Sequence, residues 1–171
     1  MEYIENRTYD EIKVSDRAEL SRVLTKHDIL QFAVMSGDVN PAHLDEEYAK
    51  NTIFQEIIAH GMWGGSLIST VMATQLPGPG TIYLEQSLKF TKPVYVGDTV
   101  NIIVTVKEKR PKNRVVLDCL CSNQNGDAVI SGEALVIALA EKVRRERIVL
   151  PEIELKNGAG TNSITVMHQA S

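Results

Sequence analysis

Gly61-Met62-Trp63-Gly64-Gly65-Ser66-Leu67-Ile68-Ser69-Thr70-Val71-Met72-Ala73-Thr74-Gln75 lies within the longest uncharged run of the chain. Its residues are apolar or small all round, which predicts a helix buried on most of its circumference. Gly61, Gly64 and Gly65 leave room near its start for another backbone or a ligand. Pro77, Gly78, Pro79 and Gly80 end the helix, since proline cannot continue it and glycine does not favour it. A helix this apolar needs a broad surface to bury it.

The sequence that follows supplies that surface. From Thr81 to about Ala140, β-branched and apolar residues recur at period two, which predicts strands over 81–91, 99–110, 114–123 and 128–139. Turn signals separate them at Val96-Gly97-Asp98, Pro111-Lys112-Asn113 and Gln124-Asn125-Gly126-Asp127, where Asn-Gly is the strongest hairpin signal in the chain. The sheet is therefore expected to be mainly antiparallel, with a further strand over 18–24. One apolar sheet face and one apolar helix predict an α+β fold in which the sheet curls around the helix.

Upstream, Thr25 reads as the N-cap of a helix running to about Ser36, with Asp28 in its first turn and Gly37 as its stop. The chain then reads Ser36-Gly37-Asp38-Val39-Asn40-Pro41-Ala42-His43. Pro41 pushes Asn40 out of helical angles, and Gly37 and Asn40 tolerate left-handed ones, so this segment is expected to fold back. Asp38 and His43 can then converge on one water, the equipment of an acid/base pair. The plainer alternative makes Asp38 and Asn40 turn formers and His43 a cap for the short helix that Asp45 begins.

At 171 residues the chain can bury one core without disulfide or metal staples. A composition of 43% apolar and 23% charged residues is that of an ordinary globular protein, and a net charge of −4 argues against nucleic acid as a partner. Cys119 and Cys121 alternate with Leu120 on one strand face and are expected to be reduced core thiols. The four histidines show no second ligand pair at metal spacing, so no metal is expected. The acidic, polar amino terminus has no apolar core for a signal peptide or membrane span, which places the expected protein in the cytoplasm, away from membranes. The stretch from Glu141 has linker composition, giving a domain over 1–140 and a tail or linker over 141–171.

Ser-Gly-Asp-Val-Asn-Pro-Ala-His at 36–43, Ile-Ala-His-Gly-Met at 58–62 and Phe-Thr-Lys-Pro-Val-Tyr-Val-Gly-Asp at 90–98 together resemble the MaoC-like hydratases, in particular the (R)-specific enoyl-CoA hydratases. The resemblance spans roughly residues 23–138 and extends to the hydratase portion of longer enzymes with a phosphate acetyltransferase domain. It implies the hot-dog fold, a homodimer or higher homo-oligomer, and hydration of trans-2-enoyl-CoA to (3R)-3-hydroxyacyl-CoA. It implies no cofactor, because coenzyme A belongs to the substrate. By the same resemblance Asp38 and His43 are the catalytic pair, the Gly61 amide binds the thioester oxygen, and Ser69 supports the aspartate.

Elementary chemistry agrees with those roles. Hydration pushes negative charge onto the carbonyl oxygen, and the start of a helix supplies an unpaired amide and a favourable dipole. Ser69 has small-residue packing as its alternative, and His60 reads as ordering the backbone at the helix start and stays outside the catalytic set. Trp63, Met62 and Met72 read as core before acyl-tunnel lining. Lys89, Lys92, Lys107 and Lys109 are candidates for coenzyme A phosphates or plain solvated lysines. A hot-dog thioesterase and a non-catalytic acyl-CoA-binding module are the competing functions.

Overall fold

In the computed structural model, which describes residues 2–156 and 163–164, the chain runs β1 (Tyr3–Glu5), β2 (Arg17–Val23), α1 (Lys26–Ser36), α2 (Pro41–Leu44), α3 (Glu46–Lys50), α4 (Gly61–Thr74), β3 (Ile82–Phe90), β4 (Thr99–Arg110), β5 (Arg114–Ser122), β6 (Ala128–Ile137) and β7 (Arg144–Glu146). Two short strands, β8 (Leu155–Lys156) and β9 (Ser163–Ile164), pair with each other. The rest of the carboxyl-terminal stretch read as a tail lies outside the described residues.

Strands β2, β4, β5, β6 and β3, in that order, form one antiparallel sheet. Alternation explains its buried face: Val100, Ile102, Val104 and Val106 of β4 are buried, while the residues between them are half-exposed. Trp63, Leu67, Ile68, Val71 and Met72 of α4 join these four residues in a single core. Cys119 and Cys121 are free and buried there, and burial pushes their thiols up to about 11 and about 12. They are protonated packing residues at neutral pH.

Two features depart from the sequence reading. Within one chain the sheet covers only one side of α4, and Met62, Ser66, Thr70, Ala73 and Thr74 remain exposed. On that face the hydroxyls of Ser66, Thr70 and Thr74 donate back to helix carbonyls at 2.6, 3.0 and 2.8 Å. The other departure is β7, which pairs antiparallel with β1 although its Arg-Arg-Glu sequence has linker character. Backbone hydrogen bonds, the Glu2–Arg147 ion pair at 2.8 Å and Arg144 over the Tyr3 ring supply what local propensity does not.

Candidate active site

The site begins with how α1 is held. Thr25 and Asp28 form a reciprocal capping box, and Arg22 on β2 approaches the buried Asp28 carboxylate at 2.5 Å. Burial works to raise the Asp28 carboxyl, but hydrogen bonds from Thr25 and Arg22 outweigh it and hold the group below the usual carboxylate range. At its other end α1 stops at Gly37, whose φ of 75° is a left-handed angle that glycine accepts without strain.

Short hydrogen bonds then fold the chain back. Asp38 Oδ1 accepts from the Asn40 amide at 3.1 Å, and Asn40 Oδ1 accepts from the Ala42 amide at 3.1 Å. Pro41, which has no amide proton to leave unpaired, opens α2. Asp38 is thus a turn former, as the plainer reading expects, but only one carboxylate oxygen is used so. The other accepts no hydrogen bond among the described residues.

Half a turn of α2 carries the chain to His43, whose Nδ1 lies 2.8 Å from the Ile58 carbonyl oxygen. A carbonyl can only accept, so Nδ1 is the donor, which leaves Nε2 as the ring nitrogen not engaged by the backbone. His60 is 3% exposed and donates from Nε2 to the Asp38 carbonyl at 3.2 Å. Its ring lies 4.0 Å from that of His43 and 4.9 Å from that of Phe32, centroid to centroid. Burial pushes the His60 pKa below its usual value, the Asp38 carbonyl opposes that, and His43 adds to it. His60 is therefore a neutral ring at physiological pH.

One carboxylate oxygen of Asp38 and one ring nitrogen each of His43 and His60 all lie within 4.8 Å of one another. These are the residues that can hold a cation here, although carbonyl contacts already occupy His43 Nδ1 and His60 Nε2. Gly61 follows His60 directly and starts α4, and its amide has no partner among the described residues. A cavity of about 280 Å³ opens beside it, lined by His43, His60, Gly61, Trp63, Phe90 and Ile130 among others. A Cβ on Gly61 would lie 3.0 Å from the Phe90 ring, so the space over the amide depends on glycine.

Asp38, His43 and Gly61 are thus brought together. Ser69 is not joined to them: it lies half-buried about two turns along α4, with no hydrogen bond to Asp38. Trp63 belongs to both core and cavity wall, Met72 is core, and Met62 is exposed. Of the lysines, Lys109 donates to the carbonyls of Tyr9 and Ile12, Lys107 pairs with Glu133 and Asp118, and Lys92 pairs with Asp127 at the cavity wall. The bond from His60 to the Asp38 backbone has no sequence signature beyond a histidine directly before the helix start.

A helix seated on an antiparallel sheet defines a hot-dog protein, and here a carboxylate, an imidazole and a bare amide gather near the helix start. Residues 8–118 match the family described as the MaoC like domain. The chain is 45% identical to an (R)-specific enoyl-CoA hydratase of Rhodospirillum rubrum, over 77% of this chain and 92% of that protein. It is 41% identical to a 3-hydroxybutyryl-CoA dehydratase of Methylorubrum extorquens, over 75% of this chain and 82% of the other. Among solved structures, the unliganded R-hydratase PhaJ1 from Pseudomonas aeruginosa superimposes with a TM-score of 0.87 at 46% identity, covering 91% of this chain and all of that one. The chain belongs to the MaoC-like family.

Proposed function

We propose that this protein is an (R)-specific enoyl-CoA hydratase, a hydro-lyase that adds water to trans-2-enoyl-CoA to give (3R)-3-hydroxyacyl-CoA. The observation that carries the reading is the single cavity shared by His43 and the unpaired amide end of α4, with the Asp38 carboxylate close by. The hydratases and the dehydratase among its relatives support it.

In this mechanism water binds between Asp38 and His43, and the pair removes its proton. The oxygen attacks the β-carbon, the double-bond electrons move toward the thioester oxygen, and the Gly61 amide holds the charge that forms there. The pair returns a proton to the α-carbon, so one water is consumed and no redox partner is needed. The conjugated thioester makes any cofactor or metal unnecessary to the chemistry. The hydratase domain is taken as 1–140 with 141–171 as its tail, in a cytoplasmic enzyme. Among the described residues, no helix is long and apolar enough to cross a membrane.

A second copy completes the protein in this reading. Edge strand β3 exposes Ile82, Tyr83, Leu84 and Phe90 by 50, 38, 40 and 52%, and its Leu88 and Phe90 side chains lie beside Gly65 and Gly61 of α4. A long apolar edge of this kind invites pairing with another strand. Light scattering on a sizing column is expected to give twice the chain mass or more, and a monomer at micromolar concentration refutes the dimer.

Purified protein with crotonyl-CoA tests the reaction. Loss of the enoyl absorbance with a chiral 3R product supports hydration, thiol release means a thioesterase, and binding without turnover means an acyl-CoA-binding module.

A further inference from the structure

We infer that His60 is a positioning residue, a strut that holds the Asp38 loop against the amino end of α4 and keeps the water-activating pair in register with the Gly61 amide. The inference rests on the hydration reading and deepens it.

The loop needs such a strut. Residues 36–40 are exposed, and their other hydrogen bonds are local: Ser36 to Phe32 and Asp38, Gly37 to Ala33, Asp38 to Asn40, and Asn40 to Ala42 and His43. Among the described residues, only the bond from His60 Nε2 ties residues 37–40 to a distant part of the chain, across 22 positions. A peptide bond connects His60 to Gly61 on its other side. One side chain therefore links the group that activates water to the group that receives the charge.

Nor is His60 spent on anything else. As N-cap of α4 its side chain makes no capping hydrogen bond, and its Nδ1 is buried without a partner. A buried ring with one nitrogen unsatisfied is retained at some cost. The return is orientation, since the tilted rings of Phe32 and His43 lie against it and Nε2 has one acceptor within reach.

Two substitutions separate donor from ring. His60→Phe keeps an aromatic ring and loses the donor, and His60→Gln keeps a side-chain N–H near the place of Nε2. Loss of alignment at a reacting centre costs on the order of 10²-fold. The expectation is a fall of about that size in kcat for crotonyl-CoA in His60→Phe, with KM changed less than about threefold, and recovery of most of the rate in His60→Gln. Hydrogen exchange over residues 37–43, measured without substrate, is expected to be faster in His60→Phe and near wild type in His60→Gln. A kcat within twofold of wild type in His60→Phe, or a Gln variant no better than Phe at matched thermal stability, overturns the inference. Wild-type protein that does not hydrate crotonyl-CoA overturns the reaction assignment instead; unchanged exchange in His60→Phe then overturns the strut.

Discussion

His43 donates from Nδ1 to the Ile58 carbonyl at 2.8 Å, and that bond decides which of its nitrogens keeps a lone pair. The carbonyl belongs to the segment that enters α4, where the Ala59 amide in turn bonds the Val94 carbonyl at 2.8 Å. The Ile58 carbonyl thus orients the ring and is itself held in a segment tied to Val94, which leaves Nε2 as the nitrogen the proposed mechanism needs.

In the proposed mechanism, replacing either Asp38 or His43 is expected to remove the base and spare the fold. Asn at position 38 retains an oxygen where Oδ1 accepts from the Asn40 amide, so Asp38→Asn keeps the turn and loses the charge. Turnover of crotonyl-CoA is expected to fall by about 10²–10⁴-fold in Asp38→Asn and in His43→Gln, the usual weight of an acid/base group. Circular-dichroism melts should match wild type. A near-normal rate in either variant removes that residue from the mechanism.

The Arg22–Asp28 pair makes α1, and with it the Asp38 loop, sensitive to acid. Asp28 has a folded pKa below its ordinary value of 3.8, so its contribution to stability is complete above that value and is lost as pH falls from there through the folded pKa. Asp28→Asn is expected to cost about 2 kcal/mol at pH 7, the scale of hydrogen bonds to a charged group. The difference from wild type should shrink below pH 4, where wild type loses the same term. Urea denaturation at several pH values reads both, and a difference that is constant with pH contradicts the assignment.

Much of this architecture is legible in the sequence. Period-two alternation locates β3 to β6 within about two residues; in β4 the alternate residues face the core, while edge strand β3 carries the β pattern but stays mostly exposed. Thr25, Gly37, Asn40 and Pro41 likewise announce α1 and its reversal, since each carries a local backbone constraint. What fails to show is whatever depends on contacts distant in sequence. β7 is polar and pairs only because β1 is beside it, and His60 meets Asp38 across 22 residues. The open side of α4 escapes notice for a related reason: apolar composition reports that a surface is to be covered, not whether the same chain covers it.

The pairing of β6 with edge strand β3 gives a stability prediction. Gly132 on β6 stands opposite Leu88 on β3, and a Cβ there would lie 1.9 Å from the Ser87 carbonyl oxygen. Backbone cannot step aside as a side-chain tip can, so Gly132→Ala has to spread the β3–β6 pair. The expected cost is about 3 kcal/mol or more, lowering Tm by roughly 6–12 °C in a chain of this size. Calorimetry checks it, and a loss under about 1 kcal/mol contradicts so close an approach.

Gly61 gives the opposite signature, a loss of rate with little loss of fold. The Cβ of Gly61→Ala would meet Phe90 Cε1 at 3.0 Å, but that ring is 52% exposed and can swing outward. The methyl then occupies the space through which a thioester oxygen approaches the amide. Weakening one oxyanion donor costs about 10²–10³-fold in turnover. That fall is expected in kcat for crotonyl-CoA with Tm within a few degrees of wild type. The double variant Gly61→Ala/Phe90→Ala relieves the ring contact and leaves the methyl in place. Its rate should therefore stay low; full recovery would show that Phe90 packing, and not access to the amide, is what Gly61 protects.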